Sequence, residues 1–515
     1  MIQLLEPFFF MFVRFIMFCL YLFLFKFANM RSTKYYFIFS WIASFFWPFQ
    51  SCAKKSQEHP NLVFIMADQW RGTALGYLDV EPVITPNLDR LAAEGVAFEN
   101  AVSSYPVSSP ARGMLMTGQY PVSSKVTGNC NSENAPYGVE LPVEARCWSD
   151  VLKDQGYSLG YIGKWHLDAP YFPYVDTYNN RGKVAWNEWC PKERRHGFDY
   201  WIAYGTYDNH LKPMYWNRDA SRDDFYYVNQ WGPEYETDRA IEYLRNKDGC
   251  REEGRPFALV VSINPPHTGY ELVPEKYKTL YKDLDIEKWC QRPDIPKKGN
   301  SNGDFYRNSV KDYYACMTGV DEQIGRIVET LKQEGLWENT IVVFTSDHGD
   351  CMGMHGVIGK DIYYEEAMRI PMIVTWPARI KPRRDADSRI ALADLYPTLL
   401  SLMGYKSVIP LQVETFDLSE RIISGNGFQP DFQPYYRIEP ARSTNGWRGL
   451  RGKRYTFAIK VENGTITETV LFDRSDDPYE LKNIVTENPD LELKFKKLLR
   501  KWLDRTNDSF AMFLD

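Results

Sequence analysis

"TIVVFTSDHGD", residues 340–350, sets a run of apolar and β-branched residues ahead of Asp347 and His348. A strand with one wet face alternates polar and apolar residues; a run this continuous is buried on both faces, as in a parallel sheet covered by helices on either side. Three other stretches are built the same way: "NLVFIMADQW" (61–70), "YSLGYIGKWHL" (157–167) and "FALVVSINPPH" (257–267). Between them lie helix-patterned segments such as "TPNLDRLAAEG" (85–95) and "YYACMTGVDEQIGRIVETLKQEG" (313–335). Strands alternating with helices predict an α/β fold, a large, mainly parallel sheet flanked by helices. Such sheets bind ligands outside the carboxyl ends of their strands. The polar residues that close the four runs all arrive at that edge: Asp68 and Gln69, Lys164 and His166, His267, and Asp347 and His348.

Taken singly, each of these residues has an ordinary explanation as a cap or a satisfied core group. Together, two Asp, a Gln and a His make the oxygen-rich shell that a hard divalent cation needs, Ca²⁺ or Mg²⁺. A fifth stretch, "SSPARGMLMTG" (108–118), adds an anion site. Pro110 suits the first turn of a helix, which places Ser108 and Ser109 at its positive end. Arg112 lies one turn in, and its planar fork matches a tetrahedral oxyanion. A serine cap, worth about 1 kcal/mol, explains the serines but not the arginine.

The 515 residues leave room for one large α/β domain with an appendage, or for two or three ordinary domains. Apolar residues at 44% and charged residues at 25% are a globular balance. The net charge is −6, and residues 1–52 hold four basic residues against one acidic, so the remainder carries −9 and a nucleic-acid partner is excluded. The amino end stands apart as a targeting segment. "MRSTKYYFIFSWIASFFWPFQSC" (30–52) resembles a bacterial lipoprotein signal, with Cys52 the lipidated residue, "AKKSQEHP" the tether, and Met1 or Met30 as start. An uncleaved membrane anchor is the other reading. Either exports the protein, to the periplasm or as an outer-membrane lipoprotein, with the membrane met only through the leader or its lipid. The nine cysteines show no metal-type C-x-x-C spacing.

Ser108, Pro110, Ala111, Arg112, Thr117 and Gly118 together resemble the signature S-x-P-[AS]-R-x(4)-T-G of the formylglycine-dependent, type I sulfatases, in the serine form found in bacterial glycan sulfatases. The resemblance runs from about residue 61 to 477, through "GYIGKWHL", "NPPHTGY", "TSDHGDCMGMHG", "GKDIYYEEAMRIPMIV" and "LFDRSDDPYELKNI" in the family's order. It implies an alkaline-phosphatase-like fold with a smaller carboxyl-terminal α+β subdomain. With the break near residue 425, the organisation reads as leader 1–52, catalytic domain 53–425 and subdomain 426–515. It implies that a serine-type maturing enzyme oxidises Ser108 to formylglycine. Asp68, Gln69, Asp347, His348 and residue 108 would hold the cation. Arg112 and Lys164 would steady the hydrated aldehyde, and His166 would take its proton. His267 and Lys360 would meet the bridging oxygen and the sulfate, with His267 as general acid. Many sulfatases have Asp where Gln69 stands and Asn where His348 stands. The Gln and His pairing is similar to that of many bacterial glycan sulfatases and of related phosphonate monoester hydrolases.

The expected activity is therefore hydrolysis of a sulfate ester on a carbohydrate, at a chain end. A phosphonate monoester or phosphodiester hydrolase is the alternative, and a protein whose Ser108 stays unmodified would only bind glycan. Residues 171–231 hold 17 aromatics in 61 positions, roughly double the 15% of the whole chain. They form either a wall against sugar rings or the private core of an insertion, and His210 is the candidate sugar contact within them. "ENPDLELKFKKLLRKWLDRT" (487–506) predicts an amphipathic helix whose basic residues are a solvated face.

Overall fold

The computed structural model describes residues 59–514; the leader and Cys52 lie outside them. Ten strands form the main sheet: β1 (Asn61–Ala67), β2 (Val96–Phe98), β3 (Ser158–Lys164), β4 (Tyr200–Tyr204), β5 (Met214–Asn217), β6 (Tyr226–Tyr227), β7 (Phe257–Ile263), β8 (Thr340–Ser346), β9 (Met372–Thr375) and β10 (Arg383–Asp385). Their order is β10-β2-β9-β8-β1-β7-β3-β4-β5-β6. The central five, β8, β1, β7, β3 and β4, are mutually parallel, while β9 and β5 run antiparallel to their neighbours. The four apolar runs read from the sequence are β1, β3, β7 and β8, and every residue in them is buried.

Burial on both faces explains the unbroken apolar runs. Leu62, Phe64 and Met66 of β1 enter one core with Ala111 and Leu115 of the helix Ser108–Thr117 and Leu399 of Leu395–Leu402. Val63, Ile65 and Ala67 enter the other, with Leu88 of the helix Pro86–Glu94, Ala240 of Gly232–Leu244, and Val320 and Ile324 of Ser301–Gln333. The last of these helices starts earlier than its apolar period suggests, because the Asn300 side chain accepts from the amides of Asn302 and Gly303.

A second sheet of four antiparallel strands follows in chain order: β11 (Phe432–Glu439), β12 (Arg442–Gly452), β13 (Tyr455–Glu462) and β14 (Thr465–Asp473). The amphipathic helix is present as Pro489–Arg505, and Phe495, Leu499 and Leu503, one turn apart, pack on Phe457, Ile459 and Leu471. The same cluster takes in Tyr105, Met114 and Tyr120 from around the helix Ser108–Thr117, so the second sheet braces that helix from outside. Residues 171–231 supply β4, β5 and β6 at the sheet edge. Val175, Tyr207, Met214, Tyr215 and Trp216 make a private core, while Tyr171, Phe172, Tyr174, Tyr178 and Tyr227 stay exposed. Both readings of the aromatic insertion therefore find residues to support them. Among the described residues the seven cysteines are all unpaired, and no helix is long and apolar enough to cross a membrane.

Candidate active site

Parallel register brings the strand ends level. Ala67 pairs with both Ser346 and Ile263, and Gly163 with Ser262. The residues that follow must then meet at one edge, and they do. Gly163 is required there: its φ is +98° and a Cβ would lie 2.1 Å from the Ser262 carbonyl oxygen, so only glycine lets β3 run close enough to deliver Lys164. Two non-glycine residues of the site, Gln69 and His166, also have positive φ (67° and 52°), the local strain that a fixed surrounding structure maintains at functional positions.

The helix Ser108–Thr117 points its amino end at this edge. Val107 is the cap residue, and no side chain caps the helix, so the serine-cap explanation fails. The Ser108 hydroxyl instead lies 3.2 Å from Asp68 Oδ2 and 3.0 Å from His348 Nε2. Ser109 Oγ turns away to donate to the His166 carbonyl. Arg112 is engaged by protein. Its Nε and Nη2 donate to Asp347 Oδ2 (3.1 and 2.9 Å), Nη2 also to Asp68 Oδ2 (3.1 Å), and Nη1 to the Lys164 carbonyl and Ser262 Oγ (2.9 and 2.7 Å). Lys164 Nζ lies 2.7 Å from the same Asp68 oxygen and 3.0 Å from Asn264 Oδ1. Arg112 thus organises the carboxylates.

The electrostatics follow from burial and these pairings. Burial opposes ionisation of Asp68, but Lys164, His267 and His348 hold it well below the usual carboxylate range. Burial and then the Asp68 charge push Asp347 up to about 6. His348 is lowered to about 3 by burial and Lys360. Its Nδ1 donates to the Gly349 carbonyl (2.8 Å), which leaves Nε2 as a bare lone pair facing the carboxylates. Burial and then Lys164 hold His166 well below its ordinary value, and neither of its ring nitrogens has a hydrogen-bond partner among the described residues.

Asp68 Oδ1 is likewise buried with no partner. Ligand atoms of Asp68, Asp347 and His348 lie within 4.8 Å of one another, and an orphaned carboxylate oxygen beside a second carboxylate and an imidazole lone pair fits a divalent cation. Gln69 beside this cluster is oriented by its neighbours. Its Nε2 donates to Asp350 Oδ2 (2.7 Å) and Tyr270 Oη (3.1 Å), so Oε1 faces Lys360 Nζ.

The rim consists of half-buried groups. Lys360 Nζ lies 3.2 Å from His267 Nε2, and His267 Nδ1 lies 3.0 Å from Asp208 Oδ1. Burial, Lys164 and Lys360 lower His267 to about 4. Arg437 of β11 donates to Asp361 Oδ2 (2.9 Å) beside Lys360, and Arg451 of β12 holds Glu365 through both oxygens (2.8 Å each), so the second sheet anchors the loop that carries the lysine. His210 sits behind the rim. It is 2% exposed, and its Nε2 donates to the carbonyls of His267 and Thr268 (3.3 and 3.1 Å), so its ring holds the loop beneath His267. The sequence singled out Ser108, Arg112, Lys164, His166, His267, Lys360, Asp68, Gln69, Asp347 and His348, and the structure gathers them at one edge. It did not single out Asp208, Asn264, Asp350 or Tyr270, although the first two lie one to four residues past the strand ends where such groups collect.

A buried hydroxyl at a helix mouth, a carboxylate and imidazole shell and a cationic rim define a centre for oxyanion ester chemistry. The family model described as Sulfatase matches residues 60–405, and one described as N-sulphoglucosamine sulphohydrolase, C-terminal, matches residues 353–508. The chain belongs to the sulfatase family and is a sulfuric ester hydrolase. It is 36% identical over 466 residues to the endo-4-O-sulfatase of Bacteroides thetaiotaomicron, covering 83% of this chain and 88% of that one. It is 34% identical over 460 residues to the ulvan-active sulfatase of Formosa agariphila, covering 88% and 82%. The crystal structure of the yidJ protein of Bacteroides fragilis matches with a TM-score of 0.88 and 64% identity, over 90% of this chain and 99% of that one.

Proposed function

We propose that the protein removes sulfate from a carbohydrate through a formylglycine formed from Ser108, with Ca²⁺ as the resident cation. The observation that carries this reading is the placement of Ser108, whose hydroxyl abandons the helix cap for the gap between Asp68 and His348. Asp68, Gln69, Asp347 and His348 would hold the cation, which would supply a Lewis acid for a sulfate oxygen and for the nucleophile. Oxidised by a serine-type maturing enzyme and hydrated, residue 108 offers one oxygen to attack sulfur and a second whose deprotonation expels sulfate, so no water has to attack sulfur.

The chain's own residues do the rest. Arg112 and Lys164 fix the carboxylates on either side of residue 108, and His166, whose ring nitrogens have no hydrogen-bond partner among the described residues, accepts its proton. On the leaving side, the electron pair of the breaking S–O bond goes to the sugar oxygen. That oxygen takes the proton that Lys360 Nζ delivers to His267 Nε2 across their 3.2 Å contact, the ring passing through its imidazolium form. The sugar meets the exposed Tyr171, Phe172, Tyr174 and Tyr178 of the insertion. "MRSTKYYFIFSWIASFFWPFQSC" supports export and tethering at Cys52.

Mass spectrometry of the 108–118 peptide tests the maturation, because oxidation of serine to the aldehyde removes about 2 Da. Desulfation of defined galactose, N-acetylgalactosamine and N-acetylglucosamine sulfates tests the activity, and the expected result is one sugar and one position. Size-graded oligosaccharides separate attack at a chain end, the expected mode, from internal attack. Matured enzyme that cleaves phenyl phosphonates faster than every sulfated sugar would establish the phosphonate hydrolase reading instead. Ser108→Ala is expected to abolish turnover with the fold intact.

A further inference from the structure

We propose that Asp208 is the positioning residue of His267, and that the aromatic insertion completes it through Asn179. The group that protonates the leaving sugar oxygen is then built partly from the segment that meets the sugar. This rests on the reading of His267 given above.

Asp208 lies four residues beyond the end of β4, and its Oδ1 is 3.0 Å from His267 Nδ1. The carboxylate is held from two sides. Asn264, one residue past β7, donates Nδ2 to Oδ1 (3.2 Å), and Asn179 donates Nδ2 to Oδ2 (2.8 Å). Asn179 also accepts the Asp208 backbone amide (3.1 Å), so one side-chain amide clamps the residue in both directions. Asn264 in turn accepts from Lys164 Nζ. The site is therefore continuous by hydrogen bonds from Asp68 beside residue 108 to His267 at the rim. Asp208 would ionise less readily on burial alone, but His267 and Lys164 hold it below the usual carboxylate range, so it is an anion throughout the working pH range.

The tautomer follows from donors and acceptors. A lysine ammonium only donates, so the 3.2 Å contact with Lys360 Nζ makes His267 Nε2 the acceptor. The ring proton is then on Nδ1, where Asp208 receives it. Thr268 Oγ1 is also 3.2 Å from Nδ1 but is uncharged. Of the charges facing the ring, Lys164 and Lys360 oppose an imidazolium, while Asp208 and Asp68 favour it. Only Asp208 both favours it and touches the ring. His210, two residues along, holds the His267 and Thr268 carbonyls. The segment 208–210 thus supports His267 at both ring and backbone.

The test uses the full matured protein, with Asp208→Asn and Asn179→Ala. Nitrogen-15 spectra of labelled histidine should show the His267 proton on Nδ1 in the wild type and a shift of that population towards Nε2 in Asp208→Asn, where only the Lys360 contact still favours Nδ1. With a sulfated sugar, whose alkoxide is a poor leaving group, kcat should fall about 10²- to 10⁴-fold with little change in KM. With an aryl sulfate bearing an acidic phenol it should fall by less than about tenfold, because that leaving group needs little protonation. The alkaline limb of kcat on the sugar should move to lower pH, since loss of the carboxylate charge weakens the imidazolium. Asn179→Ala should show the same pattern at about tenfold and decides the matter should Asp208→Asn fail to fold. An unchanged tautomer, or equal losses on both esters with an unmoved pH profile, overturns the proposal. Matured wild type that hydrolysed neither ester would remove the proposed function, and the spectra would still decide the role of Asp208.

Discussion

Replacing Arg112 by Met should separate the part of this site that is structure from the part that is chemistry. Arg112 is 2% exposed and is the shared counter-charge of Asp68 and Asp347, both fully buried. Met fills much of the same volume, so the main loss is charge and hydrogen bonds. Removing one partner of a buried ion pair costs about 3–5 kcal/mol, because the other charge remains without compensation. Lys164 tempers this at Asp68, which it already touches; Asp347 has no second cation within bonding distance among the described residues. Arg112→Lys restores the charge but not the fork. Its three donors cannot serve the five contacts now made to Asp347, Asp68, Lys164 and Ser262, and an orphaned buried acceptor costs about 1–3 kcal/mol. Unfolding entropy of about 2.1 cal/mol/K per residue gives about 1 kcal/mol/K for residues 59–514 as one cooperative unit. The unfolding midpoint should therefore drop about 3–5 °C for Met and about 1–3 °C for Lys. Differential scanning fluorimetry in chelator reads this without any contribution from a bound cation. A Met variant that melts within a degree of the wild type, or a Lys variant less stable than Met, would refute the account of Arg112 as the organiser of the two carboxylates.

Exhaustive chelation should abolish turnover and lower the unfolding midpoint together, because binding to the native state adds about 2.7 kcal/mol at a hundredfold excess over Kd; Ca²⁺ should restore both at least as well as Mg²⁺. Full activity with no metal by elemental analysis would end the cation assignment. Glu236 predicts a pH effect away from the chemistry. Burial raises it to about 8 although Tyr204 and Tyr215 donate to its Oε1. A carboxyl whose folded pKa is raised favours the native state at low pH; that contribution is lost at roughly 1.4 kcal/mol per pH unit as pH rises from the unfolded pKa through the folded one. Glu236→Gln should accordingly flatten the decline in unfolding midpoint between pH 5 and pH 8, and a variant whose decline parallels the wild type would show Glu236 ionised.

The buried half of the site was legible because a parallel sheet imposes it. Where an apolar run ends, the next residues must leave the sheet at its carboxyl edge, so Asp68, Lys164, His166 and Asp347 could be gathered from separate stretches without knowing the strand order. The helix mouth at Ser108 was legible for a similar reason, since Pro110 and the apolar run after it fix the direction of the helix. The sequence could not show that Arg112 spends its fork on two carboxylates, because only the order β8-β1-β7-β3 brings Asp68, Asp347, the Lys164 carbonyl and Ser262 within its reach. Asp208 and Asn179 were illegible for a different reason. Both lie in the aromatic insertion, where composition dominates the signal, and their pairing joins a single helical turn to an irregular segment 29 residues away with no periodicity to announce it. The exposed Tyr178 lies next to that asparagine.

This difference in legibility follows a division of labour in the molecule. The groups that surround residue 108 are fully buried, rest on the central strands and are bonded chiefly to one another. The groups on the leaving side depend on the two additions to the sheet. His267 is held by Asp208 and His210 of the insertion, and the Lys360 loop is held by Arg437 and Arg451 of the second sheet. Attack on sulfur is the same step whatever alcohol the sulfate is attached to, so its machinery can rest on the buried central strands, away from the insertion. Departure of the alcohol depends on which sugar is present and how it lies against the rim. Under the proposed function, a segment that both contacted the sugar and oriented the proton donor would let a correctly seated sugar complete the acid, whereas a wrongly seated one would leave the proton misdirected. Specificity would then be expressed in kcat as well as in KM, as expected when binding interactions far from the reacting bond are used to reach the transition state.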